Sequence, residues 1–143
     1  MATYIPVDLR NQIRATDGNC CCYCQTSEIL SGIRMSFDHI RPRSKGGETC
    51  FDNVCLACRS CNEFKGDCVT AQDLITQQRI PLFNPRLQRW HDHFVWSDDG
   101  TTIEARTAVG RVTVLALRMN HAAIVSARKR WVSVGWHPPK NTG

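Results

Sequence analysis

The sequence predicts an α+β fold: short strands and helices around a cysteine-rich centre, followed by a small hairpin-and-helices extension. Three observations point there. All nine cysteines lie between residues 20 and 68 of the 143-residue chain. Apolar residues alternate with period two at 35–40 and 93–97, and recur at helical spacing in 5–15 and again beyond residue 107. Hydrophobic residues at 42% and charged residues at 22% are ordinary globular values, which exclude a disordered chain, a collagen-like repeat and a coiled coil. At about 150 residues per domain, this length allows a core at 1–68 with an extension at 69–143 packing on it.

The elements follow in order. Residues 5–15 read as an opening helix, with Ile5, Leu9 and Ile13 four apart and Pro6 tolerable in the first turn. Asp17-Gly18 marks a turn into Cys20-Cys21-Cys22-Tyr23-Cys24. Met35-Ser36-Phe37-Asp38-His39-Ile40 reads as a strand stopped by Pro42; if its geometry persists, Asp38 and His39 point opposite ways. Arg41 to Gly47 is a basic, glycine-ended loop. Asn53-Val54-Cys55-Leu56 reads as a second strand returning beside the first, and Ser60 to Lys65 as a helix ended near Gly66.

In the second half, Thr70 predicts an N-cap for a helix through Gln78, supported by Asp73 three residues on. Pro81 and Pro85 make a linker. His93 to Ser97 and Thr101 to Arg106 read as a hairpin turning at Asp98-Asp99-Gly100. Two helices follow, Ala108 to Leu117 and His121 to Val134, capped by Thr107 and Asn120, with Arg128, Lys129 and Arg130 clustered on the last. Trp90, Trp96, Trp131 and Trp136 are expected to form a small core.

Charge and leader signals narrow the setting. Residues 1–68 hold eight cations and eight acids, whereas 69–143 hold ten against five, so the net +5 lies in the second half. Arginine supplies 14 of the 18 cations, which suits a polyanionic partner. Met1–Asp8 has neither a basic start nor a signal-like apolar run, and no stretch nears about 18 consecutive apolar residues, so the expectation is a cytoplasmic protein without a membrane role.

An odd cysteine count without a secretion signal disfavours a disulfide framework and favours metal. Cys21-x-x-Cys24 and Cys58-x-x-Cys61 are two knuckles 33 residues apart, suited to a closed tetrahedral zinc site. By spacing alone Cys55-x-x-Cys58 is an equal alternative, and Cys20 or Cys22 could compete on the first side. Loaded zinc with four thiolates carries a formal charge of about −2, which lowers the chain's net charge and shifts any nucleic-acid argument to local loops. Such zinc leaves no open position for chemistry, so catalysis would sit elsewhere. Asp38-His39, Asn53, Asn62 and Lys65 are the residues of suitable chemistry.

Cys21-x-x-Cys24, Phe37-Asp38-His39-Ile40-x-Pro42-x-Ser44-x-Gly46-Gly47, Asn53 and Cys58-x-x-Cys61-Asn62-x-x-Lys65-Gly66 together resemble the zinc-ribbon branch of the HNH endonucleases. The resemblance covers about residues 20–68, and it selects Cys58 and Cys61 because the family places its last polar ligand directly after that pair. Pro81 through Trp96, Gly110-Arg111 and Gly135 to Pro139 are similar to a C-terminal extension of many bacterial HNH proteins. One departure is Asn62, which stands at the final His of the family's name.

The resemblance implies a ββα-metal, treble-clef-like core with structural Zn²⁺ on Cys21, Cys24, Cys58 and Cys61. It implies a catalytic Mg²⁺ or Mn²⁺ between Asp38 and Asn62, His39 as general base, and Asn53 as the scaffold that holds the loop and orients His39. DNA is the implied substrate, with 5′-phosphate and 3′-hydroxyl products. Arg41, Arg43 and Lys65 are candidate phosphate contacts. One metal and one base attack one strand, so a monomer is expected to nick. The alternative is a non-catalytic zinc-ribbon module that binds nucleic acid or a protein partner. A thiol redox protein is disfavoured because loaded zinc would quench its thiols.

Overall fold

A computed structural model describes residues 4–140. Helix α1 (Val7–Asp17) follows Pro6, stops at Gly18 in the left-handed region, and buries Ile13. A single-turn helix α2 (Glu28–Ser31) is capped by the Ser27 hydroxyl. Strands β1 (Met35–His39) and β2 (Val54–Cys58) pair antiparallel in unbroken register from Met35↔Cys58 to His39↔Val54. All five residues of β2 are buried, because α1 packs on it and helix α3 (Arg59–Lys65) packs on both strands. Strand, strand and helix form the ββα unit.

The next segment departs from expectation. Residues 70–78 do not form a helix; β3 (Thr70–Gln72) and β4 (Arg79–Pro81) pair as a hairpin. Asp73 explains why. Its carboxylate accepts from the Thr76 N–H at 3.1 Å and from the Thr76 hydroxyl at 2.8 Å, closing a tight turn rather than opening a helix. Arg111 then clamps both its oxygens at 2.9 and 3.0 Å. This tertiary contact outweighs the local helix preference.

A short helix α4 (Trp90–His93) precedes the expected second hairpin, β5 (Phe94–Trp96) with β6 (Ile103–Ala105). Helices α5 (Ala108–Ala116) and α6 (Ala122–Ser133) complete the described chain. Thr107 caps α5 as expected, but α6 is capped by His121 and not by Asn120. Asn120 is occupied elsewhere, bonding both the N–H and the carbonyl of Ile103 at 2.8 Å like an added strand residue. Gly110 admits α5 against the backbone, since a Cβ there would overlap the His93 carbonyl. Trp90 is buried and Trp96 and Trp131 half-buried, whereas Trp136 is exposed. No helix among the described residues is long and apolar enough to cross a membrane.

Two side chains of the second half lock onto the first. The Trp90 indole N–H donates to the Tyr23 carbonyl at 2.7 Å. Arg86 donates to Asp17 through both terminal nitrogens, at 2.6 and 3.1 Å, and to the carbonyls of Phe51 and Val54. Asp17 in turn accepts the N–H of Leu56 in β2. The ion pair is 8% and 3% exposed, so removing one partner leaves a charge stranded in the interior. We expect Arg86→Ala to lower stability by about 3–5 kcal/mol in urea unfolding. A loss below about 1 kcal/mol would class the pair with exposed ones and contradict its burial.

Candidate functional site

The sulfurs of Cys21, Cys24, Cys58 and Cys61 all lie within 4.8 Å of one another, and all four residues are buried. Zn–S bonds of about 2.3 Å in a tetrahedron place sulfurs about 3.8 Å apart, and Cys24 Sγ stands 3.6 Å from Cys58 Sγ. The two knuckles repeat one local geometry. The Cys24 N–H donates to Cys21 Sγ and the Cys61 N–H to Cys58 Sγ, each at 3.4 Å. Cys58 is also the N-cap of α3, so the helix start fixes the second knuckle. Thr26 adds a 3.1 Å hydroxyl contact to Cys24 Sγ. The donor set fits zinc.

Strand geometry settles the knuckle that spacing left open. Cys55 and Cys58 both belong to β2, and strand residues three apart leave opposite faces. Cys55 turns instead toward the Tyr23 hydroxyl, 3.8 Å away. Cys58 reaches Cys61 because the chain changes from strand to helix directly after it.

Behind the zinc knuckle, Asp38 sits in a closed polar group. Its Oδ2 accepts the Tyr23 hydroxyl at 2.8 Å, and the Lys65 ammonium stands 3.1 Å from Oδ2 and 3.3 Å from Oδ1. Lys65 Nζ also donates to the His39 carbonyl at 3.0 Å. Asp38 is 4% and Lys65 2% exposed. Burial pushes the Asp38 carboxyl pKa up, while Lys65 and the Tyr23 hydrogen bond pull it down. Lys65 therefore faces inward as the counter-ion of Asp38, not outward as the phosphate contact expected from sequence.

His39 is half-buried, with Nε2 2.9 Å from the Thr49 hydroxyl. Burial lowers its pKa first, with Arg43 and Lys65 adding to the shift and Asp38 opposing it. The strand does not bend at Asp38-His39: pairing continues through His39, and the bend comes at residues 40–41. Asp38 thus turns to Tyr23 and Lys65, and His39 to the loop carrying Thr49.

Asn53 closes that loop. Its Oδ1 accepts the Arg41 N–H at 2.8 Å, and its Nδ2 donates to the carbonyls of Glu48 at 2.7 Å and Arg41 at 3.1 Å. Its own carbonyl accepts the Ile40 N–H at 2.8 Å, directly after His39. Gly47 is required here, because a Cβ would overlap the Arg41 carbonyl oxygen. Arg41 and Arg43 are exposed on the same loop, with Arg41 Nε donating to the Lys45 carbonyl.

Asn62 is half-buried on α3, one turn before Lys65 and on the same helix face. A carboxylate and an amide carbonyl are the hard oxygen donors a small divalent cation takes. Asp38 and Asn62 carry such donors, and the Lys65 ammonium occupies a cation's place against Asp38. Sequence reasoning missed two partners, Tyr23 on Asp38 and Thr49 on His39. Tyr23 had a signal, since it lies inside the Cys21-x-x-Cys24 knuckle.

Residues 21–67 match the sequence model of a family described as HNH: HNH endonuclease. The matched segment holds all four zinc-type cysteines and Asp38, His39, Asn53 and Asn62, and it implies a nuclease-type, nucleic-acid-related function. No curated protein and no solved structure matches the chain.

Proposed function

We propose that this protein is a metal-dependent endonuclease that hydrolyses DNA phosphodiester bonds and cuts one strand per event. The observation that carries the reading is His39: a half-buried imidazole fixed by Thr49, held below its ordinary pKa, inside the segment matched to HNH endonucleases. Hydrolysis needs a group that takes a proton from water at neutral pH. In the tautomer whose Nε2–H donates to Thr49 Oγ1, Nδ1 keeps the lone pair for that task. Asn53 positions His39 by closing the loop onto the residues that follow it. Asp38 and Asn62 would hold Mg²⁺ or Mn²⁺, which when bound supplies Lewis-acid stabilisation of phosphate charge. Lys65, already paired with Asp38, would compete with such an ion for the carboxylate. Arg41 and Arg43, exposed beside His39, are the candidate phosphate contacts.

The test is conversion of supercoiled plasmid with Mg²⁺, with Mn²⁺ and with EDTA, with zinc content measured after the chelator step. Open circles that need the divalent ion while zinc stays bound are expected. Linear product at single-hit enzyme levels would overturn single-strand cleavage. Retention of plasmid without cutting, under every metal, would favour the binding module instead.

A further inference from the structure

Arg128 on α6 is fully buried, and among the described residues no acid pairs with it. Its Nη1 donates to the Thr101 carbonyl and to Asn120 Oδ1, each at 3.1 Å, and Nη2 to the Met119 carbonyl at 2.7 Å. Every one of these acceptors is neutral. Nε has no partner among the described residues, and the guanidinium carbon stands 5.1 Å from the Trp96 ring centre. A guanidinium enclosed in this way is unstable unless negative charge lies near. None of the five ion pairs of the described residues includes Arg128.

The four-cysteine cluster lies on one side. Met119, which accepts from Arg128, and Ala127, its chain neighbour, line the same cavity as Cys24, Cys58 and Cys61. Burial depresses the Arg128 pKa, and the sulfurs of Cys24, Cys61, Cys58 and Cys21 oppose that depression. When loaded, four thiolates on one zinc ion carry a formal charge of about −2 in the same interior. Arg118 lines that cavity too, but it is exposed and its charge is screened by solvent, so Arg128 is the buried cation on this side of the cysteines.

We propose that Arg128 is the internal counter-cation of the zinc–thiolate centre, so that α6, far outside the cysteine knuckles in sequence, sets how firmly the metal is kept. Linkage makes the effect mutual: metal on the cysteines holds α6 in place, and α6 in place holds the metal. This inference concerns zinc retention and stands whether or not the chain cleaves DNA.

The experiment follows zinc transfer from the full chain to a colorimetric pyridylazo chelator, with a thermal melt of each variant. Arg128→Gln should surrender zinc about tenfold more readily, whereas Arg128→Lys, which keeps the charge, should stay within about twofold of the wild type. Asn120→Ala removes an acceptor and the two bonds to Ile103 but no charge; it should lower the melting temperature and loosen zinc retention less than Arg128→Gln does. Asn120→Asp loses the same donor and places a carboxylate on the guanidinium, so it should release zinc several-fold more readily than Asn120→Ala. Wild-type retention in Arg128→Gln would overturn the proposal. If that variant does not fold, equal retention in Asn120→Asp and Asn120→Ala overturns it instead.

Discussion

Cys61→Ser should abolish zinc retention and unfold the first half of the chain. The two-stranded sheet of β1 and β2 is too small to stand alone, and structural zinc contributes about 10–16 kcal/mol of apparent binding energy to small units of this kind. Cys61 lies in the first turn of α3, and its N–H donates to Cys58 Sγ at the helix cap. Losing its thiolate therefore frees α3, and with it Lys65 and Asn62. Metal content by atomic emission and a thermal melt read the outcome. Cys55→Ser is the control: it is buried in β2 but is no member of the four-sulfur cluster, so it should keep one zinc per chain. A Cys61→Ser protein that held one zinc and melted at the wild-type temperature would overturn the ligand assignment.

The second large effect is expected at His39. His39→Ala should reduce plasmid nicking by about 10²–10⁴-fold, the usual contribution of a positioned general base, without loss of zinc. The pH profile adds a sharper test. Burial, aided by Arg43 and Lys65 and opposed by Asp38, holds the His39 pKa below its ordinary value of about 6.5. A base works when neutral, so the rate should rise with pH through a midpoint under about 6.5 and then level off. The same shift has a sign for stability. Because the folded pKa is depressed, the unfolded chain binds the proton more readily, so this contribution is constant above about pH 6.5 and declines as pH falls below it. An acid limb centred at or above about 6.5 would show that another group controls the rate.

Local spacing made the zinc centre legible, because a Cys-x-x-Cys knuckle needs only four residues to declare itself. Spacing left two ambiguities: Cys20 or Cys22 on the first side, where the cluster takes Cys21 and Cys24, and Cys55 against Cys61, which depended on where β2 gives way to α3. Residues 70–78 were misread for a related reason. An aspartate whose oxygen accepts a nearby N–H looks the same in sequence at a helix start and at a tight turn, and the Arg111 contact that decides between them comes from 38 residues away. The inward direction of Lys65 was equally hidden. Its partner Asp38 lies 27 residues back, and only the packing of α3 on β1 brings them together. The aromatic and arginine-rich second half showed its hairpin and helices but not its purpose. Phe83, Arg86, Trp90 and Arg128 prove to be anchors, each meeting a partner that no local pattern could name.

Those anchors also set a schedule for synthesis. A ribosome adds about 5–20 residues per second, so Arg86 follows Cys68 by roughly one to four seconds, and Arg128 comes several seconds later still. During that interval the nascent cysteines can already capture metal. Yet Asp17 has no cation, the Tyr23 carbonyl has no indole, and the dianionic centre has no guanidinium. The interior charges of the first half are therefore matched only once the second half has left the exit tunnel.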